Sequence, residues 1–182
     1  YLVTGRVERL KKKYGLTVRW THFPLHPETP DSGLSLGELF KGRGYDIEAM
    51  KQRMSGLMAE ENLPYGNRSH TYNSRLAQEL SKWGESFPEG EALNLKLFEG
   101  YFVEGQNLAE PEVLLDIAEA AGLSREVAVG VIRERLFRNA VEADWRRAHE
   151  FGITGVPTFV SGNQGLVGAQ PYEALERLIQ AK

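Results

Sequence analysis

The chain has 182 residues, 41% of them hydrophobic, a formal net charge of −3 and no cysteine. That length and apolar content suffice for one domain with a sizeable core, or one domain carrying an insertion. No apolar run approaches the roughly 18 residues of a membrane span, charges of both signs are interspersed in a way that argues against nucleic acid as a partner, and the lack of cysteine excludes a structural disulfide or a Cys-ligated metal within these residues.

Val3, Val7, Leu10 and Tyr14 recur at helical spacing and predict a helix over residues 1–14, stopped by Gly15. Lys11, Lys12 and Lys13 fall in its last turn, where cations suit the helix dipole. The pattern is already running in the first turn with no cap ahead of it, and the sequence opens on Tyr1 rather than Met, so a segment upstream is expected. In residues 16–23, Leu16, Val18 and Trp20 share one parity and predict a strand, ended by Pro24 and Pro27. On such a strand His22 and His26 would stand about 13 Å apart, too far to share an ion, and no metal is expected.

Residues 27–33 read as a linker and residues 34–151 as helix, with no strand signal. Ser35 and Glu38 form a capping box. Asp46 can cap a helix over 47–61 that places Ile47, Met50, Met54, Leu57 and Met58 on one face. A helix over 72–83 turns Leu76, Ala77 and Leu80 inward, and one over 91–103 carries Leu93, Leu97, Phe98, Tyr101 and Phe102. Pro111 opens a helix closed by Gly122, Ser124 caps another to about residue 137, and a last one reaches 151 through Val141, Trp145 and Ala148. The three methionines fit core packing, with a groove for varied clients as the alternative. The polar stretch 67–77 reads as a loop capping a helix through Thr71 or Asn73. It also makes Arg68, Asn73 and Arg75 candidates for holding an anionic or peptide ligand.

The richest stretch is residues 150–171. Gly152 stops a helix, Pro157 leads into a strand over 158–161, a glycine turn follows, and a second strand ends at Gly168. A proline directly ahead of a β-branched and aromatic run removes a backbone donor and would be a defect inside a central strand.

Gly155-Val-Pro-Thr-Phe159, the glycine-turned hairpin and Gly168-Ala-Gln-Pro171 before a last helix resemble the C-terminal half of the DsbA-type thioredoxin-fold oxidoreductases, most closely their FrnE-like branch. The resemblance implies an α/β, thioredoxin-like fold with a large all-helical insertion and its first strand ahead of Tyr1. Residues 1–29 and 152–182 would form the discontinuous thioredoxin-like domain and residues 30–151 the insertion. The implied activity is thiol–disulfide exchange on protein or small-thiol substrates, with Cys-Pro-Trp-Cys directly before Tyr1-Leu2. A thiolate at a helix N-terminus is stabilised by the dipole and the unpaired amides.

Under the same resemblance Pro157 would be a cis-proline that positions the site, and the backbone of Val156 would pair with substrate as an added strand. Thr158, Tyr1 and His26 complete the implied substrate-binding set. No cofactor is expected, with glutathione a candidate co-substrate. The implied partners are disulfide- or thiol-containing proteins or small molecules, not nucleic acid or membrane, acting on a monomer or homodimer in the cytoplasm. Two other readings stay open. One is a glutathione-dependent enzyme of the 2-hydroxychromene-2-carboxylate isomerase or kappa glutathione transferase type. The other is a redox-inactive module that holds peptides along the Val156–Pro157 edge and the methionine stripe.

Overall fold

The computed structural model describes residues 1–181. In chain order its elements are α1 (Thr4–Tyr14), β1 (Leu34–Ser35), α2 (Leu36–Leu39), α3 (Ile47–Glu60), β2 (His70–Thr71), α4 (Arg75–Gly84), α5 (Gly90–Phe102), α6 (Pro111–Ala120), α7 (Arg125–Arg133), α8 (Arg138–Glu150), β3 (Thr158–Ser161), β4 (Gln164–Val167) and α9 (Tyr172–Gln180). They fall into two compact units. A helical unit holds Tyr1 and His26–Glu142, and a split unit holds Leu2–Leu25 together with the chain from Ala143 on. The division passes through α8, whereas the boundary expected from sequence lay just beyond that helix.

The helical unit is built on α4 to α7. Leu80, Leu93, Leu114, Ala118 and Ala128 are completely buried there, with Trp83, Leu97, Ile117 and Val131 around them. The spacing that predicted these helices is the spacing that brings those side chains to one face of each. Burying each leucine contributes about 2 kcal/mol relative to leaving it in water. α4 and α5 approach so closely that a Cβ on Gly90 would meet the Gly84 carbonyl.

The cap residues act as read. The Ser35 hydroxyl accepts from the Glu38 N–H while the Glu38 carboxylate receives the Ser35 N–H, and Asp46 and Ser124 accept from Ala49 and Val127. The methionine stripe on α3 is graded: Met58 is buried, Met54 half-buried and Met50 exposed.

Four expectations need correction. Residues 16–24 form no strand, because among the described residues no segment offers them a ladder; the His22 N–H bonds the Asp144 carboxylate at 3.2 Å instead. Residues 34–151 are not purely helical, since β1 and β2 pair antiparallel, Leu34 with Thr71 and Ser35 with His70. α4 begins at Arg75 rather than 72, because the Asn73 side-chain oxygen takes the Arg75 N–H and holds the chain in a turn before the helix. α7 stops at Arg133, two residues before Arg135 takes a left-handed conformation at φ 53°.

In the split unit α1 turns Val3, Arg6, Val7 and Leu10 inward. Gly15 caps it in the left-handed conformation at φ 61°. Lys13 and Tyr14 reach the Glu176 carboxylate of α9 at 2.8 and 2.9 Å, and the Arg9 guanidinium lies 4.7 Å from the Tyr172 ring centre. The hydrogen bonds to Lys13, and then to Tyr14, hold the Glu176 carboxyl below the usual carboxylate range, while the same contact pushes Lys13 up to about 12. α9 buries Leu175 and Leu178 and packs against the β3–β4 hairpin.

Candidate functional site

α8 is closed by Gly152 at φ 66°, whose N–H bonds the His149 carbonyl while the Ile153 N–H bonds that of Ala148. The chain then turns through Gly155, and the Thr158 hydroxyl donates to the Gly155 carbonyl at 2.7 Å. Between them lies Val156–Pro157, whose peptide bond is cis. Val156 is 47% exposed at the entrance of β3.

β3 and β4 pair antiparallel from Thr158 opposite Val167 to Ser161 opposite Gln164. One rung further the Gly168 N–H donates to the Pro157 carbonyl at 2.7 Å. A turn follows in which the Gln170 side chain donates to Val167 at 2.6 Å and the Gln170 N–H to Gly168 at 2.8 Å. The backbone flanking Pro157 is therefore fixed from both sides by hydrogen bonds within the same unit.

The sequence missed one residue of this arrangement. Arg6 of α1 is only 9% exposed, and its guanidinium donates to the carbonyls of Ala169 and Gln170 at 3.1 and 2.6 Å. The signal was available, because Arg6 stands in the stripe of Val3, Val7 and Leu10, where an apolar residue belongs.

The structure brings Val156, Pro157 and Thr158 together in the split unit, and places Tyr1 and His26 in the helical one. The Thr158 hydroxyl is committed to its own loop. His26 is exposed in a turn, its carbonyl accepting from the Thr29 N–H. The Tyr1 ring lies parallel to Phe102, with centroids 5.8 Å apart, and 6.2 Å from Phe98. The Arg68 guanidinium covers the faces of Tyr101 and Phe102 and donates to the Tyr101 hydroxyl. Burial and, secondly, the charge of Glu99 push the Tyr1 phenol up.

Of the three polar candidates in residues 67–77, Asn73 and Arg75 border an open pocket of about 130 Å³ shared with Asp31, Leu76, Ala109 and Arg135. The charges there are paired. Glu79, 3% exposed, receives the Arg75 side chain at 2.7 Å and two of the three guanidinium nitrogens of Arg135 at 2.7 and 2.8 Å. Arg75 also reaches Glu142 and the Arg138 carbonyl, each at 3.0 Å. This is a structural ion network.

Residues 1–180 match the family model of the DSBA-like thioredoxin domain. The chain belongs to that family. A solved structure of a probable DsbA oxidoreductase from Streptomyces coelicolor superposes on this DSBA-like chain with a TM-score of 0.91 and 26% identity, covering all of it and 83% of the Streptomyces chain. YwbO of Bacillus subtilis, itself uncharacterized, is 26% identical over 175 residues, which are 94% of this chain and 84% of YwbO. A 2-hydroxychromene-2-carboxylate isomerase shares the fold, with a TM-score of 0.78 at 21% identity over all of this chain and 88% of its own. Among the described residues no helix is long and apolar enough to cross a membrane.

Proposed function

We propose that this DSBA-like protein is a thiol–disulfide oxidoreductase for protein or small-thiol substrates, with Val156–Pro157 as the edge that holds the extended substrate. The observation that carries the reading is the half-exposed Val156 at the mouth of a hairpin tied below it by the Gly168–Pro157 hydrogen bond, in a chain of this family. The 182 residues contain no cysteine, so the reacting thiols must come from outside them; the family pattern has them as a Cys-x-x-Cys pair directly ahead of Tyr1.

In the proposed reaction a thiolate attacks one sulfur of a substrate disulfide, forming a mixed disulfide and releasing the other sulfur as a thiolate. The second thiol of the pair then displaces the substrate. The substrate gains two electrons and two protons while the pair becomes a disulfide, and the reverse sequence oxidises a substrate dithiol. Val156 contributes backbone groups to an added strand. Thr158 holds the loop, and Tyr1 and His26 are further proposed contacts. Glutathione is the proposed small-thiol partner.

Mass measurement of the polypeptide encoded by the complete gene, alkylated with and without prior reduction, tests this. Two alkyl groups added only after reduction agree with it, and none in either state overturns it. Mixed-disulfide formation with oxidised glutathione, read by the same measurement, tests the small-thiol partner.

A further inference from the structure

We propose that Arg6 is a positioning residue for this reaction: it ties the first turns of α1 to the 168–171 turn and so sets the separation between the N-terminal end of α1 and the Val156–Pro157 edge. The proposal rests on the thiol–disulfide reading above, in which the reactive pair opens α1.

A guanidinium is costly to bury unless its donors are used. One guanidinium nitrogen of Arg6 donates to backbone, to the carbonyls of Ala169 and Gln170, 163 and 164 residues away. Hydrogen bonds from a charged donor are stronger than neutral ones, and the planar guanidinium holds its partners in a fixed geometry that a lysine does not match. The accepting carbonyls belong to the turn that begins at Gly168, and Gly168 donates to Pro157. Arg6, the turn and Pro157 thus form a continuous chain of hydrogen bonds inside one unit.

The other end of α1 is fastened separately, through Lys13 and Tyr14 to Glu176. Loss of Arg6 therefore loosens the end of α1 that meets the substrate and leaves the far end attached. Thiol–disulfide exchange needs the attacking sulfur in line with the bond it breaks, and a misplacement of about 1 Å can cost on the order of a hundredfold in rate.

The test uses the complete polypeptide with its dithiol, as wild type, Arg6→Met and Arg6→Lys. Steady-state turnover of a peptide carrying one disulfide, with excess reduced glutathione returning the pair to the dithiol, is compared with alkylation of the reduced protein by iodoacetamide, a small reagent that does not need the edge. Amide exchange at Gly168 is followed alongside. For Arg6→Met the expected result is a several-fold or greater fall in peptide turnover with a several-fold rise in KM, faster exchange at Gly168 and an unchanged alkylation rate, with partial recovery in Arg6→Lys.

An unchanged KM, or a fall in alkylation as large as the fall in turnover, would overturn the assignment. Should Arg6→Met fail to fold, Arg6→Lys carries the same comparison with a smaller rise in KM. A wild-type protein that iodoacetamide cannot modify would sink the thiol–disulfide reading itself, a result separate from either outcome for Arg6.

Discussion

The N–H of Gly168 donates to the carbonyl of Pro157 at 2.7 Å, one rung beyond the four residue pairs of the β3–β4 hairpin. Gly168 can do this because it sits at φ 89°, a conformation that costs a residue with a side chain about 1 kcal/mol or more. A Cβ there would find the Gln170 side-chain nitrogen at 3.7 Å as its nearest neighbour beyond the adjoining residues, so the penalty lies in the backbone and not in a clash. Gly168→Ala should lower stability by about 1 kcal/mol in urea titration and weaken binding of peptide substrates. Wild-type affinity in this variant would show that the rung does not shape the edge.

Glu79 is nearly fully buried with two arginines on it, but Arg135 is 42% exposed and Arg75 keeps Glu142, so removing the carboxylate costs its hydrogen bonds and strands little charge in the interior. Glu79→Ala should cost about 1–2 kcal/mol, read from the denaturation midpoint at neutral pH. Arg135, held left-handed with two guanidinium nitrogens on this carboxylate, should gain mobility in the same variant.

The same cluster sets a pH dependence. Burial pushes the Glu79 carboxyl up, but hydrogen bonds from Arg135 and Arg75 outweigh it and hold the group below its ordinary value of 4.5. A carboxyl with a lowered folded value contributes stability that is complete above its unfolded value and is lost as pH falls through the folded one. Melting temperature should therefore hold down to about pH 5 and decline below it, less steeply in Glu79→Gln than in wild type. Equal slopes in thermal melts of the two proteins would remove Glu79 from the acid response.

Gly66 lies against the end of α5, its N–H bonding the Phe102 carbonyl at 2.9 Å. A Cβ at this position would overlap the Val103 carbonyl, which is backbone and cannot swing away. Gly66→Ala should lose about 3 kcal/mol or fail to accumulate, whereas Gly56→Ala, in open space inside α3, should gain about 0.5–1 kcal/mol by the same denaturation measurement.

What could be read from the sequence was local. The Ser35–Glu38 box, the Asp46 and Ser124 caps and the strand over 158–161 depend on residues within a few positions of one another, and the Val156, Pro157 and Thr158 group came from one short motif. The β1–β2 pair was invisible, because two residues leave no periodicity and their partners stand 35 or more positions away. The end of α7 depends on Arg135 reaching Glu79, 56 residues earlier; Glu79 stands in the stripe of Leu76, Leu80 and Trp83, which marks its burial but not its partner. Residues 16–24 show the converse: alternation describes which faces are apolar, but a strand also needs a partner. The packing of Tyr1 on Phe102 likewise joins residues that no pattern connects.

Both attachments of α1 span more than 160 residues, Arg6 to Ala169 and Gln170 and Lys13 to Glu176. A chain emerges from the ribosome N-terminus first at roughly 5–20 residues per second, so α1 is synthesised roughly ten to thirty seconds before the segments it docks against. His26–Glu142 needs no such delay, since its core partners are complete once α7 has emerged. Folding in the cell is thus ordered by synthesis, with the helical unit closing first while Val3, Val7 and Leu10 wait uncovered for the rest of their own unit.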